Sequence, residues 1–367
     1  MKQVKWLFFF LCIFLCGSAH AQIGPLNESN ADFDRRLKWF KDAKYGMFVH
    51  FGLYSQLAGK YNGKEVDGYA EWIQATADIP KEEYAKIIAD WNPKDFNAET
   101  IVLLAKEAGM KYLVITTKHH DGFCLWDSKY TEFDIANSPM KGRDFIKELA
   151  EACHKYGLKF CTYYSIIDWH HDSQYRNTGD NSWARWGQVA MKPDHKQEYI
   201  TYMKNQLREL IETYNTEMIW FDGDWVAWWD MEQGMDLYAY LRKLKPSLII
   251  NNRVAKRDHF KYDFGTPEQE HPDSAQRYLW EACYTMNDSW GFKQQDHNWK
   301  TPEDIFVKLG EINGKGGNLL LNIGPDGDGR IPPASVTILK EVGNKLDGNR
   351  QAKAGVAKQK KSNKKIK

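Results

Sequence analysis

The sequence predicts an α/β fold, a (β/α)8-like, TIM-type barrel, and three observations lead to it. Its strand candidates are apolar throughout rather than alternating, and helical periodicity separates them, the pattern of a parallel sheet covered on both faces. Roughly seven to eight such strands over ~300 residues suit a barrel, and neither a G-x-G-x-x-G after the first strand nor a P-loop favours an open nucleotide-binding sheet. Polar, chemically capable residues follow strand after strand: His50, His119 and His120, Tyr164 and Asp168, Asp222, Arg253, Glu281 and Asn322. In a barrel these positions surround one mouth at the C-terminal ends of the strands.

The elements run in order. "YGMFVHFG" is a short apolar strand ending in glycine. "PKEEYAKIIADW" and "NAETIVLLAKEAG" follow with helical spacing, the second opened by Asn97 as cap and closed by Gly109. "KYLVITTKHHDGF" is a strand entering a polar loop, "RDFIKELAEACHKYG" an amphipathic helix, and "LKFCTYYS" a third strand. A helix over 197–214 leads to the strand "EMIWFDG", and a helix over 235–244 to the strand "SLIINNR". "RYLWEAC" is a further strand, 301–313 a helix, "NLLLNIG" a strand and 333–346 a last helix.

The two ends read differently from the 22–346 barrel. "MKQVKWLFFFLCIFLCGSAHAQ" has a positive start, an apolar run too short to span a bilayer and a small-x-small site at Ala19-His20-Ala21. Residues 1–21 are therefore expected to be a signal peptide of an exported protein, periplasmic or secreted. No later segment is apolar enough to cross a membrane. The segment 347–367 is lysine-rich with no acidic residue after Asp347, and is expected to be a disordered, solvated tail. The formal net charge of +1 gives no reason to expect nucleic acid as a partner. Cys124, Cys153, Cys161 and Cys283 sit in apolar segments without C-x-x-C spacing and read as buried free thiols.

Two carboxyl groups, one ionised and one protonated, are the equipment for breaking a glycosidic bond. Asp222 ends an apolar strand beside Gly223, which leaves room for a ligand, and is the candidate for the ionised one. Asp224, two residues on, is the candidate for holding a loop. Glu281 lies beside Trp280 and close to Trp290, and apolar surroundings keep a carboxyl protonated as a general acid needs. Glu268 and Glu270 in "TPEQE" are its rivals, and Glu71 in "AEWIQ" is a third or a partner for a sugar hydroxyl. His119-His120 and His170-His171 are adjacent pairs whose side chains diverge on a strand, so neither is expected to hold a metal. No cofactor is expected, and no G-x-S-x-G elbow supports a serine hydrolase.

The ordered set "KYGMFVHFG", "EW", "TTKHHDGF", "YYSIIDW", "IWFDGD", "NNR", "TPEQE", "WEACYTMNDSWGF" and "NLLLNIGPDGDGRIP" resembles the α-L-fucosidases of glycoside hydrolase family 29. The resemblance covers about residues 33–346. It implies a retaining double displacement on fucosylated oligosaccharides or glycoconjugates. Asp222 matches the nucleophile of the family's W-F-D-G motif. Glu281 matches the acid/base of W-E-x-C in the members the chain most resembles, and Glu268 or Glu270 matches it in others. His50, Glu71, Trp72, His119, His120, Tyr164, Trp220 and Arg253 match sugar-binding positions, and Trp290 the leaving-group side. Phe48 and Trp290 are candidates for an apolar wall against the 6-deoxy carbon of fucose. The departure is the C-terminal β-sandwich that usually follows the barrel in this family, for which the basic segment offers no strand pattern. Two other readings fit the same residues, a barrel glycosidase for another sugar and a non-catalytic glycan-binding protein.

Overall fold

The computed structural model describes residues 28–176, 188–259 and 263–364, and the expected signal segment lies outside them. Seven parallel strands form one sheet: β1 (Tyr45–Val49), β2 (Tyr112–Lys118), β3 (Lys159–Ser165), β4 (Met218–Asp222), β5 (Ile249–Ile250), β6 (Glu281–Tyr284) and β7 (Asn318–Ile323). Their order is β6-β7-β1-β2-β3-β4-β5. All seven were expected, each from an apolar run flanked by helical pattern.

The eighth position is filled by residues 264–268. Parallel bridges join Asn251 to Phe264, Gly265 to Trp280 and Glu268 to Cys283. The Asn252 N–H donates to the Phe264 carbonyl at 3.0 Å, and the Glu281 and Cys283 N–H groups donate to Gly265 and Pro267 at 2.9 and 3.1 Å. This segment ties β5 to β6 and closes the ring. The sequence reads as loop here because Gly265 and Pro267 interrupt any strand signal, and a proline has no N–H for a ladder.

Seven longer helices accompany the described strands: α1 (Asn30–Ala43), α2 (Ala98–Glu107), α3 (Phe145–Tyr156), α4 (Lys196–Glu212), α5 (Met231–Leu244), α6 (Pro302–Gly314) and α7 (Pro333–Lys364). Their starts are set by side-chain caps. Asn97 accepts from the Thr100 N–H at 2.8 Å, and Asp144 from Lys147 at 2.9 Å. Asp230 with Gln233 and Thr301 with Asp304 form reciprocal capping boxes. α3 stops at Gly157, whose φ of 77° few other residues adopt. The sequence reading ended the last helix at Leu346, whereas α7 runs on to Lys364. Lysine, alanine and glutamine are good helix formers, and no proline follows Pro333 to stop them. Among the described residues, no helix is long and apolar enough to cross a membrane.

The core has two parts because successive strand side chains point to opposite faces. Phe48, Val114, Cys161, Tyr163, Met218, Trp220, Ile249, Cys283 and Leu320 pack together inside the ring. Ile115, Tyr164, Ile219, Phe221, Ile250 and Leu321 belong to the cluster between strands and helices. α1 adds Leu37 and Phe40 to the inner cluster, and its Arg36 reaches Asp263 with N–O distances of 2.7 and 2.8 Å. Lys44, at φ 63°, joins α1 to the start of β1, so α1 closes the end of the barrel opposite the mouth.

Candidate active site

A cavity of about 580 Å³ opens at the C-terminal ends of the strands. It gathers nine of the expected residues: His50, Glu71, Trp72, His119, Trp220, Asp222, Arg253, Glu268 and Trp290. Phe48, the other candidate for the apolar wall, lines it too.

Asp222 is the last residue of β4 and shares the inward face with Trp220. The chain leaves it through Gly223 at φ 90°, where an added Cβ would lie 2.8 Å from Ile167 Cγ1 and 3.0 Å from its backbone nitrogen. Only glycine fits that turn. Burial raises the Asp222 pKa, but the Arg253 and Arg257 charges outweigh it and hold the carboxyl below its ordinary range. The group is thus an ionised carboxylate in an enclosed site.

Arg253 follows β5 in the turn Asn252–Val254 and is 1% exposed. Its Nη1 donates to Asp222 Oδ1 at 2.7 Å, and its Nη2 to Glu268 Oε2 at 2.9 Å. Nε donates to Thr266 Oγ1 at 2.8 Å, and the guanidinium carbon lies 4.4 Å from the Trp220 ring centroid. One rigid planar fork therefore holds both carboxylates. The Glu268 side chain is 36% exposed against 13% for Asp222, which places Glu268 on the solvent side.

The histidines are neutral hydrogen-bonding groups. His50 Nδ1 lies 2.7 Å from Asn322 Oδ1, while Asn322 Nδ2 donates to the Trp290 carbonyl at 2.7 Å. The amide oxygen of Asn322 can only accept, so His50 donates from Nδ1 and its Nε2 is an acceptor. Burial pushes the His50 pKa down to about 3 and that of His119 well below its ordinary value. Glu71 accepts from the Gly291 N–H at 2.8 Å through one oxygen, and the other is buried with no hydrogen-bond partner among the described residues. Burial raises its pKa to about 7 against the pull of that N–H.

A sequence profile of α-L-fucosidases matches residues 15–351. The chain belongs to the α-L-fucosidase family. Its fold is similar to that of the α-L-fucosidase AlfC from Lactobacillus casei, with 38% identity, 87% of this chain and 99% of that one covered, and a TM-score of 0.76. A family 29 α-L-fucosidase from Bacteroides thetaiotaomicron is 31% identical over 86% of this chain and 74% of that one, with a TM-score of 0.77. The plasma α-L-fucosidase of Homo sapiens is 28% identical over 331 residues, 86% of this chain and 68% of the relative.

Four expected residues stand elsewhere in this α-L-fucosidase fold. Glu281 is the first residue of β6, in register with Asn318 at the start of β7, at the barrel end away from the mouth. It is fully buried, and Trp220 Nε1 donates to its Oε1 at 2.9 Å while the Tyr112 hydroxyl donates to its Oε2. The sequence correctly marked an apolar setting, but the residue opens its strand instead of ending it. Glu281 holds the indole of Trp220 from below, and Glu268 takes the place at the cavity. Glu270 is exposed and does not line the cavity. Tyr164 faces outward, its hydroxyl on Gln206 Oε1 at 2.7 Å and its ring 4.6 Å from Lys118 Nζ. Tyr163 is the inward residue, stacked nearly parallel to His119 at a 7° interplanar angle and with its hydroxyl 3.4 Å from Asp222 Oδ2. His120 lies behind Asp222, fully buried, with Nδ1 2.6 Å from Ser165 Oγ.

Sequence reasoning missed Arg257, which comes from the irregular chain after β5 and carries no motif. Its Nη2 lies 3.2 Å from Asp222 Oδ1, its Nε 2.9 Å from Asp224 Oδ1, and its backbone N–H donates to Asp224 Oδ2 at 3.0 Å. Asp224 thus fastens the loop, as weighed from its position, and through Arg257 it also braces Asp222. Tyr69 and Trp225 complete the mouth. The four cysteines are buried and free, as expected, and Cys283 reaches the cavity wall.

Burial raises the Glu281 carboxyl from its ordinary 4.5 to about 7, opposed by the hydrogen bonds from Tyr112 and Trp220. The folded state then holds a proton that the unfolded chain has lost between those values. Stability from this group is present below about 4.5 and lost as pH rises through about 7. Glu281→Gln should remove that slope, roughly 3 kcal/mol across the window. Denaturant unfolding of both proteins as a function of pH checks it, and parallel curves would refute it.

Proposed function

We propose that the cavity hydrolyses terminal α-L-fucosyl linkages by double displacement, with Asp222 as nucleophile and Glu268 as acid/base. The observation that carries this is the single Arg253 fork gripping both carboxylates, one deep and one at the mouth. An exo-acting enzyme needs its acid on the side where the leaving group departs, and Glu268 is the more exposed of the two. Asp222 attacks the anomeric carbon as Glu268 gives its proton to the glycosidic oxygen, and the C–O bond breaks with the alcohol leaving. A fucosyl ester of Asp222 remains. Glu268 then takes a proton from water, whose oxygen displaces Asp222 and restores the carboxylate. Two inversions give net retention.

The lining suits a 6-deoxy sugar. His50, His119 and the open oxygen of Glu71 offer partners for hydroxyls. Phe48, with ring centroids 5.2 Å from Trp220 and 5.9 Å from Trp290, offers an apolar wall for the methyl group. Fucosylated oligosaccharides and glycoconjugates are the substrates of this reading, and the pattern of residues 1–21 supports export to the periplasm or beyond. Proton NMR of the earliest product tests the mechanism. α-L-Fucose should form first and mutarotate, and first appearance of the β-anomer would refute double displacement.

A further inference from the structure

The two oxygens of Asp222 are treated differently. Both arginines donate to Oδ1, Arg253 at 2.7 Å and Arg257 at 3.2 Å. Oδ2 faces the Tyr163 hydroxyl at 3.4 Å and His120 Nε2 at 3.7 Å. What Oδ2 meets therefore depends on whether His120 Nε2 carries a proton.

The hydrogen bonds behind His120 answer that. Ser165 Oγ lies 2.7 Å from the Ile167 carbonyl, which can only accept, so the one hydroxyl hydrogen of Ser165 is used there. His120 Nδ1, 2.6 Å from the same Oγ, must then be the donor. A neutral imidazole with its proton on Nδ1 has a bare lone pair on Nε2. Consistently, that buried Nε2 has no hydrogen-bond partner among the described residues. Burial keeps the ring neutral, lowering its pKa to about 4, and Lys118, Arg253 and Arg257 oppose the charge of Asp222 in the same direction. Trp72 and Trp225 pack nearly perpendicular to the imidazole with centroids at 5.3 and 5.4 Å.

We propose that Oδ2 is the attacking oxygen of Asp222 and that Ser165 is the positioning residue that keeps it clear of a hydrogen bond from His120, by locking the His120 proton on Nδ1. With the opposite tautomer, Nε2–H would point at Oδ2 from 3.7 Å, a few tenths of an ångström from a hydrogen bond that would occupy the lone pair that attacks. With this one, Oδ1 carries both arginine contacts, while Oδ2 faces the bare Nε2 and takes only a long 3.4 Å contact from the Tyr163 hydroxyl among the described residues. This rests on Asp222 being the nucleophile.

The test is nitrogen-15 NMR of histidine-labelled enzyme, beside kinetics, for wild type, Ser165→Ala and Ser165→Thr. Wild type should show His120 protonated on Nδ1 and bare on Nε2 across neutral pH. Ser165→Ala should move proton density to Nε2 and lower kcat/KM roughly tenfold, the weight of one hydrogen bond. Ser165→Thr should restore both. A thermal unfolding midpoint for each variant exposes any folding defect. A wild-type His120 protonated on Nε2, or a Ser165→Ala variant with unchanged tautomer and activity, would overturn the proposal. Failure of azide to rescue Asp222→Gly would instead strike the nucleophile assignment while the tautomer signal stood, so the two failures are told apart.

Discussion

Asp222→Gly should lower kcat on 4-nitrophenyl α-L-fucoside by roughly 10⁴-fold or more, because no other carboxylate occupies the same strand end. The fold should survive. Arg253 keeps Glu268 and Arg257 keeps Asp224, so neither cation is left buried alone. The glycine also opens space at the anomeric carbon. Azide entering that space should restore turnover and yield β-fucosyl azide, the product of a single displacement. Full activity without azide would remove Asp222 from the reaction.

The second large effect separates Glu268 from Glu281. Glu268→Ala should slow hydrolysis of fucosylated oligosaccharides by about 10²–10⁴-fold, the usual contribution of a general acid. It should slow 4-nitrophenyl fucoside far less, since that leaving group departs without a proton. Azide should give the retained α-azide. Glu281→Ala should behave otherwise. It strands the Trp220 N–H and the Tyr112 hydroxyl in a dry core, so its main cost is stability, about 1–3 kcal/mol for each unpaired group. Kinetics on both substrates with denaturant curves for both variants check this. A Glu281 variant that is stable and shows leaving-group-dependent loss would reverse the assignment.

The strands and helices announce themselves through local chemistry. Apolar runs place all seven strands, and Asn97 marks the start of α2 because a cap acts within one turn. The eighth strand is silent, since Gly265 and Pro267 carry no strand signal and only pairing with β5 and β6 makes 264–268 extended. The site is legible where one residue carries its own evidence. Asp222 is such a case, an acid at the end of an apolar strand beside a glycine that the turn requires.

Parity explains why Tyr163 and not Tyr164 faces inward. Tyr163 pairs in register with Trp220, so it shares the inward face, and Tyr164 with Phe221 faces the helices. Counting by twos along β3 and β4 would have found this once the register was known. The position of Glu281 along its strand was hidden because hydrophobic neighbours look alike at either end of a strand, and only the pairing with Asn318 reveals the end. Arg257 lies on a loop whose path is set by Asp224, a long-range contact with no local trace.

The most direct test is to trap the intermediate with a 2-deoxy-2-fluoro-α-L-fucosyl donor and locate the ester by peptide mass mapping of Glu268→Ala beside wild type. The account predicts one fucosyl unit per chain, on Asp222 in both proteins, with trapping from a good leaving group intact when Glu268 is gone. An ester on Glu268, Glu281 or Glu71, or an unlabelled Asp222 in an enzyme inactivated by the donor, would contradict it.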